Sequence, residues 1–202
     1  GEWSTPWDET TTDYAELPLP HGVYQVIAQR LARLGPDERE MLNTAAVLGA
    51  DFDLALLLRG SELEQEWALA AVSELVRRRL LEEEAAVYRF SHDKVRQAAY
   101  MEIDGDERRQ MHRRAGEALE TLRSGRVQAL AHHFTHGRVW AKALDYNRQA
   151  GDRAREVYAG SEAIGYYDRA LDAWKHLRSA DKTLGLSLHQ AHGEICQETG
   201  RF

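Results

Sequence analysis

Residues 80–93 read Leu80-Leu81-Glu82-Glu83-Glu84-Ala85-Ala86-Val87-Tyr88-Arg89-Phe90-Ser91-His92-Asp93, and the period of this stretch decides the fold. Around it, apolar residues recur at helical spacing. Here Leu80 and Leu81 run into three acids, and Val87 and Arg89 alternate with Tyr88 and Phe90. A period of two marks a half-buried strand, so the stretch predicts a small β-hairpin from Leu80 to Phe90, with helix resuming at about His92.

Upstream, Val23, Val26, Ile27, Leu31 and Leu34 share one helical face, and Gly35-Pro36 ends that helix and starts the next. Asp37 and Glu38 fall in the new first turn, Met41, Leu42, Ala45 and Leu48 form its buried stripe, and Gly49 closes it. A short helix from Leu54 to Leu58 stops at Gly60. Ser61 can cap a further helix that turns Trp67, Ala71, Leu75 and Val76 inward. Three helices followed by a hairpin is the layout of a winged helix.

Downstream, five amphipathic stripes follow one another: Met111 to Leu122, Val127 to Phe134, Trp140 to Ala154, Ala163 to Trp174 and Leu184 to Ile195. Ala163 to Leu171 (AIGYYDRAL) has the Ala, Tyr, Ala-Leu spacing of the second helix of a tetratricopeptide repeat. Ala150-Gly151 pairs with His192-Gly193 as the points where neighbouring helices approach, 42 positions apart, against a usual repeat of about 34 residues. The expected fold is therefore all-α with one small β-hairpin, a winged helix followed by a tetratricopeptide-like α-superhelix cut inside a longer array. Its last helix, with Leu184, Leu188 and Ile195, should then expose an apolar edge open to self-association.

Composition narrows the function. The net charge of −7 argues against wholesale coating of nucleic acid or anionic lipid, and no apolar run approaches the length of a membrane span. With no signal peptide either, a cytoplasmic location is expected. A single cysteine, Cys196, cannot make an internal disulfide or a thiolate zinc site. All four prolines lie within the first 36 residues, and residues 1–21 carry five acids and no base, which reads as an extended acidic segment. Residues 22–104 sum to −5 and 105–202 to +3, with a subdomain junction expected at Asp104-Gly105-Asp106.

Four groups of residues invite a chemical role. His92 and Asp93 close the hairpin and open a helix, and with Ser91 as N-cap they also fit a plain first turn. His132, His133 and His136 carry the i, i+4 spacing of a metal-binding helix face, which also raises a metal-dependent hydrolase. No H-E-x-x-H pattern, paired acid or nearby cysteine accompanies them, so the reading is helix-packing histidines and no metal. Arg77, Arg78 and Arg79 could end a DNA-reading helix, but Glu62, Glu64, Glu66, Glu74 and Glu82 to Glu84 surround them and repel phosphate. Trp140, Tyr146, Tyr158, Tyr166, Tyr167 and Trp174 fit either packing between repeats or a concave ligand groove.

In order, LPLPHGVYQVIAQRLARL, LGPDEREMLNTAAVLGADFD, YRFSHDKVRQAAY, RRQMHRRAGEALE and AIGYYDRAL resemble the region after the ATPase core of bacterial STAND-type signalling ATPases, among them the large ATP-dependent LuxR-type and antibiotic-regulator-type transcriptional activators. The resemblance covers nearly everything from Leu17 onward. It implies the end of an ATPase lid helix at 22–35, a winged-helix domain at 36–104 and a helical-repeat sensor at 105–202. The sequence has no G-x-x-x-x-G-K-[ST] loop, so the resemblance implies a non-enzymatic regulatory piece with no cofactor of its own. ATP or ADP with Mg would be held by a core upstream in the parent chain, and a protein or small-molecule inducer by the repeats. It also places His92 and Asp93 on the family's Met-His-Asp motif, with Ser91 in the Met position. There an imidazole can donate to the β-phosphate of ADP while Asp93 supports it. The alternative is a DNA-binding winged-helix regulator with a helical effector or dimerisation domain.

Overall fold

A computed structural model describes residues 21–122, 124–177 and 182–200. The acidic segment expected at 1–21 lies, all but His21, outside the described residues. The chain is mostly helical with one small three-stranded sheet, and it divides into two compact units between Leu122 and Arg123.

In the first unit, α1 (His21–Leu31) leads to α2 (Pro36–Leu48), whose proline at the first position needs no N–H partner and whose Asp37 and Glu38 favour the positive helix end. Strand β1 (Asp51–Asp53), α3 (Leu54–Gly60), α4 (Gln65–Arg77), β2 (Leu81–Glu84) and β3 (Val87–Phe90) follow. The hairpin falls where the alternation placed it. The sheet has a third strand that the sequence reading missed, antiparallel in the order β1-β3-β2, with Phe52 opposite Tyr88 and Leu81 opposite Phe90. Three residues are too few to show a period, yet Phe52 is fully buried against the Tyr88 ring at 6.4 Å and the Phe90 ring at 6.5 Å.

The two-residue turn Ala85-Ala86 has both φ values positive (51° and 67°), the sense that matches strand twist but that glycine and asparagine normally supply. In α4, Ala68, Ala71, Val72 and Leu75 face inward. Trp67, expected in that stripe, stands one residue off it and is 59% exposed. Arg30 ties α1 to the end of α4, its guanidinium donating to the carbonyls of Arg78 and Arg79, and Arg78 donates back to the Arg33 carbonyl at 3.0 Å.

After β3 come α5 (Asp93–Glu102) and α6 (Gly105–Thr121). Asp104 caps α6, accepting from the Asp106 N–H at 2.8 Å. The division at Leu122 falls one helix beyond the expected Asp104-Gly105-Asp106 junction, because α6 packs on α2 and α3. Its Arg114 bonds the Gly60 carbonyl at 3.2 Å, Glu40 at 3.1 Å and Glu62.

The second unit holds α7 (Val127–His136), α8 (Trp140–Glu156), α9 (Gly160–Lys175) and α10 (Lys182–Glu198), with α8 packed on α7, α9 on α8 and α10 on α9. Phe134 stacks on Tyr146 at 5.5 Å between α7 and α8. Tyr167 of α9 donates to Asp152 of α8 at 2.8 Å. Three glycines mark close approaches: a Cβ on Gly151 would stand 2.9 Å from the Tyr167 ring, one on Gly185 2.5 Å from the Trp174 ring, and one on Gly160 would meet the Thr199 methyl. Gly193, the expected counterpart of Gly151, has nothing within 4 Å of its Cβ position. Gly151 and Gly193 do hold the same place in their helices, because the bounds of α8 and α10 are offset by the expected 42 positions; what differs is that only Gly151 faces a ring. The apolar edge expected on α10 is absent from its described residues: Leu188 and Ile195 are buried, and Leu186 alone stands out among its large apolar side chains.

Candidate functional site

The site grows from the end of β3. Tyr88 and Phe90 point inward, which carries the chain over the sheet edge, and the Ser91 N–H closes it by donating to the Leu80 carbonyl at 3.1 Å. Ser91 is not the N-cap of α5: its Oγ is buried with no hydrogen-bond partner among the described residues. His92 takes the capping position in extended backbone (φ −148°, ψ 132°), and its side chain makes no capping bond. The imidazole is therefore left exposed beside the positive end of α5, with Asp93 exposed next to it in the first turn.

Beneath this pair lies a residue that the sequence reading passed over. Arg96, one turn into α5, is 5% exposed, and its Nε stands 3.3 Å from Asp93 Oδ1. Burial pulls its guanidinium down to about 10, so the ion pair with Asp93 joins a buried cation to an exposed acid. The available signal was its place at i+4 from His92, on the face that also carries Tyr100. Tyr100 in turn shares a 2.9 Å hydrogen bond with His112, and Arg108 lies 5.0 Å over its ring. The start of α5 thus offers an exposed imidazole and backbone N–H groups that can donate to an anion presented from outside, beside the Asp93 carboxylate that Arg96 holds.

The other sequence candidates fall apart in space. Arg77 and Arg78 both grip Glu74, at 2.6 and 2.5 Å, and their hydrogen bonds hold its carboxyl down to about 2. With Trp67, Leu69 and Glu66 exposed alongside, α4 presents an apolar and acidic face. On α7, His133 is a packing histidine, fully buried, with burial pushing its pKa down to about 3. His132 and His136 are half-buried on the helix face, their ring centroids 4.4 Å apart.

Most of the aromatic set serves packing: Trp140 stacks on His176 at 4.1 Å, and Tyr166 carries Arg169 at 4.6 Å. Tyr158 does not. It sits in the α8–α9 turn at φ 60°, 95% exposed, on the rim of a cleft of about 350 Å³ with Arg155, Gly160, Ile195 and Glu198. Arg155 is engaged there by Glu194 at 2.9 Å and Glu198 at 3.4 Å.

No helix among the described residues is long and apolar enough to cross a membrane. No protein-family model, curated protein or solved structure matches the chain.

Proposed function

We propose that this chain is the transmission segment of a STAND-type signalling ATPase, non-catalytic in itself, coupling the binding of an inducer on helical repeats to the nucleotide state of an ATPase core in the same parent chain. The observation that carries the reading is the position of His92: an exposed imidazole at the start of α5, directly after the last strand of a helix-strand-helix-helix-strand-strand unit. That element order supports a winged helix, and the succession α7 to α10, each helix packed on the next, supports a divergent helical repeat in which α8 and α10 are offset by 42 positions.

The residues fit a phosphate supplied by another domain, because His92 and the first-turn N–H groups of α5 can donate to it and Asp93 is braced by Arg96. The nucleotide would supply charge that differs between two states, and only such a difference can shift a conformational equilibrium. His92 would donate from the imidazole edge, and Asp93 orients the helix start. Arg30, bonded to the end of α4, carries movement of that unit into α1, which the reading assigns to the ATPase lid. Against the DNA-reading alternative stands the surface of α4, whose arginines are spent on Glu74 and whose exposed face holds Trp67, Leu69 and Glu66.

The test is made on the full-length parent polypeptide and on this chain. The parent should retain ADP and release it on loss of the His92 imidazole. This chain alone should show no micromolar binding of ADP or ATP in calorimetry, and such binding would overturn the assignment of the nucleotide to another domain.

A further inference from the structure

We infer that His132 and His136 form a clamp for one divalent transition ion of the zinc, nickel or copper type, on the surface of α7 and independent of the proposed nucleotide coupling. The two residues are one helical turn apart, both half-buried, with ring centroids 4.4 Å apart and ring planes tilted by 51°. Two imidazoles sharing an ion through ring nitrogens about 2.0–2.1 Å from it bring their centroids to about 4.5–5 Å, so the spacing already matches shared ligation.

A further feature favours a cation here. Both histidines belong to the C-terminal half of α7, and His136 is its last residue, at the end of the helix where the macrodipole is partly negative. Imidazole ligands suit zinc, nickel and copper and not magnesium or calcium, which want oxygen. With two protein ligands the remaining positions go to solvent, which makes this an exchangeable site and not a structural one.

The experiment is calorimetric titration of the whole chain with zinc chloride, and separately with nickel chloride, at pH 7.5. Wild type should bind one ion per chain at this site. His132→Ala and His136→Ala should each weaken that binding at least tenfold, while His189→Ala, an exposed histidine on α10, should leave it unchanged. Circular dichroism establishes that each variant is folded. If a variant does not fold, the histidine ring resonances of wild type decide instead: zinc should shift those of His132 and His136 together. No saturable binding, or wild-type affinity in either alanine variant, or zinc shifts confined to other histidines, would overturn the clamp.

Discussion

Gly151 of α8 lies against the ring of Tyr167 of α9, so close that a Cβ would come within 2.9 Å of it. Tyr167 cannot yield easily, being buried and tied by its hydroxyl to Asp152. In an open helix, alanine for glycine gains about 1 kcal/mol, whereas overpacking a fixed core costs about 1–3 kcal/mol. Gly151→Ala should therefore lower stability by about 1 kcal/mol in urea unfolding. Gly193→Ala, with nothing in the way, should raise it by a similar amount.

The hairpin turn carries a correctable strain. Ala85 and Ala86 both hold left-handed backbone, at about 1–2 kcal/mol per non-glycine residue. Ala85→Asn with Ala86→Gly supplies the residues this turn type favours and should stabilise the chain by about 1 kcal/mol. The measurement is the urea midpoint at unchanged slope.

Acid should act through His133. Its folded pKa is depressed to about 3, chiefly by burial, against an ordinary 6.5. The unfolded chain takes up the proton first, so the stability present above pH 6.5 is lost as pH falls toward 3, by about 1.4 kcal/mol per unit. Melting temperatures between pH 7 and pH 4 should fall steeply in wild type and less steeply in His133→Gln.

At the alkaline end the sign reverses for a different group. Burial, then the hydrogen bond to Asp152, raises the Tyr167 phenol to about 12. The folded state keeps this proton longer than the unfolded one, so its contribution is complete below pH 10 and disappears between 10 and about 12. Absorbance at 295 nm should show a late-ionising component, and Tyr167→Phe should reduce it by one tyrosine.

The fold was legible wherever periodicity had room to act. The alternation of Val87 to Phe90 gave the hairpin, and the stripes of α2 and α6 to α9 gave their helices. It failed at β1, where Asp51-Phe52-Asp53 is too short to show a period, and at Trp67, where bulk and apolarity suggested burial while the stripe ran through Ala68, Ala71 and Leu75. The 42-residue register of Gly151 and Gly193 matches the offset of α8 and α10, but the close approach expected at Gly193 is absent, because sequence shows small residues and not which of them meets a ring; Gly185 does. In the candidate site, His92 and Asp93 were readable from their place after the strand. The reading of Ser91 as N-cap rested on residue type alone, and Arg96 was overlooked although its i+4 place from His92, on the face of Tyr100, marks it, because residue type alone argues against burial of an arginine.

The central claim rests on the exposed imidazole of His92, and ADP retention by the full-length parent tests it most directly. A charge-assisted hydrogen bond to phosphate contributes about 1.5–3 kcal/mol, which corresponds to a ten- to hundredfold shift between states. His92→Ala in the parent should release ADP faster by that order and switch on output without inducer, with Asp93→Ala weaker in the same direction. Wild-type ADP release and a silent His92→Ala parent would contradict the account and leave His92 a plain N-cap residue of α5.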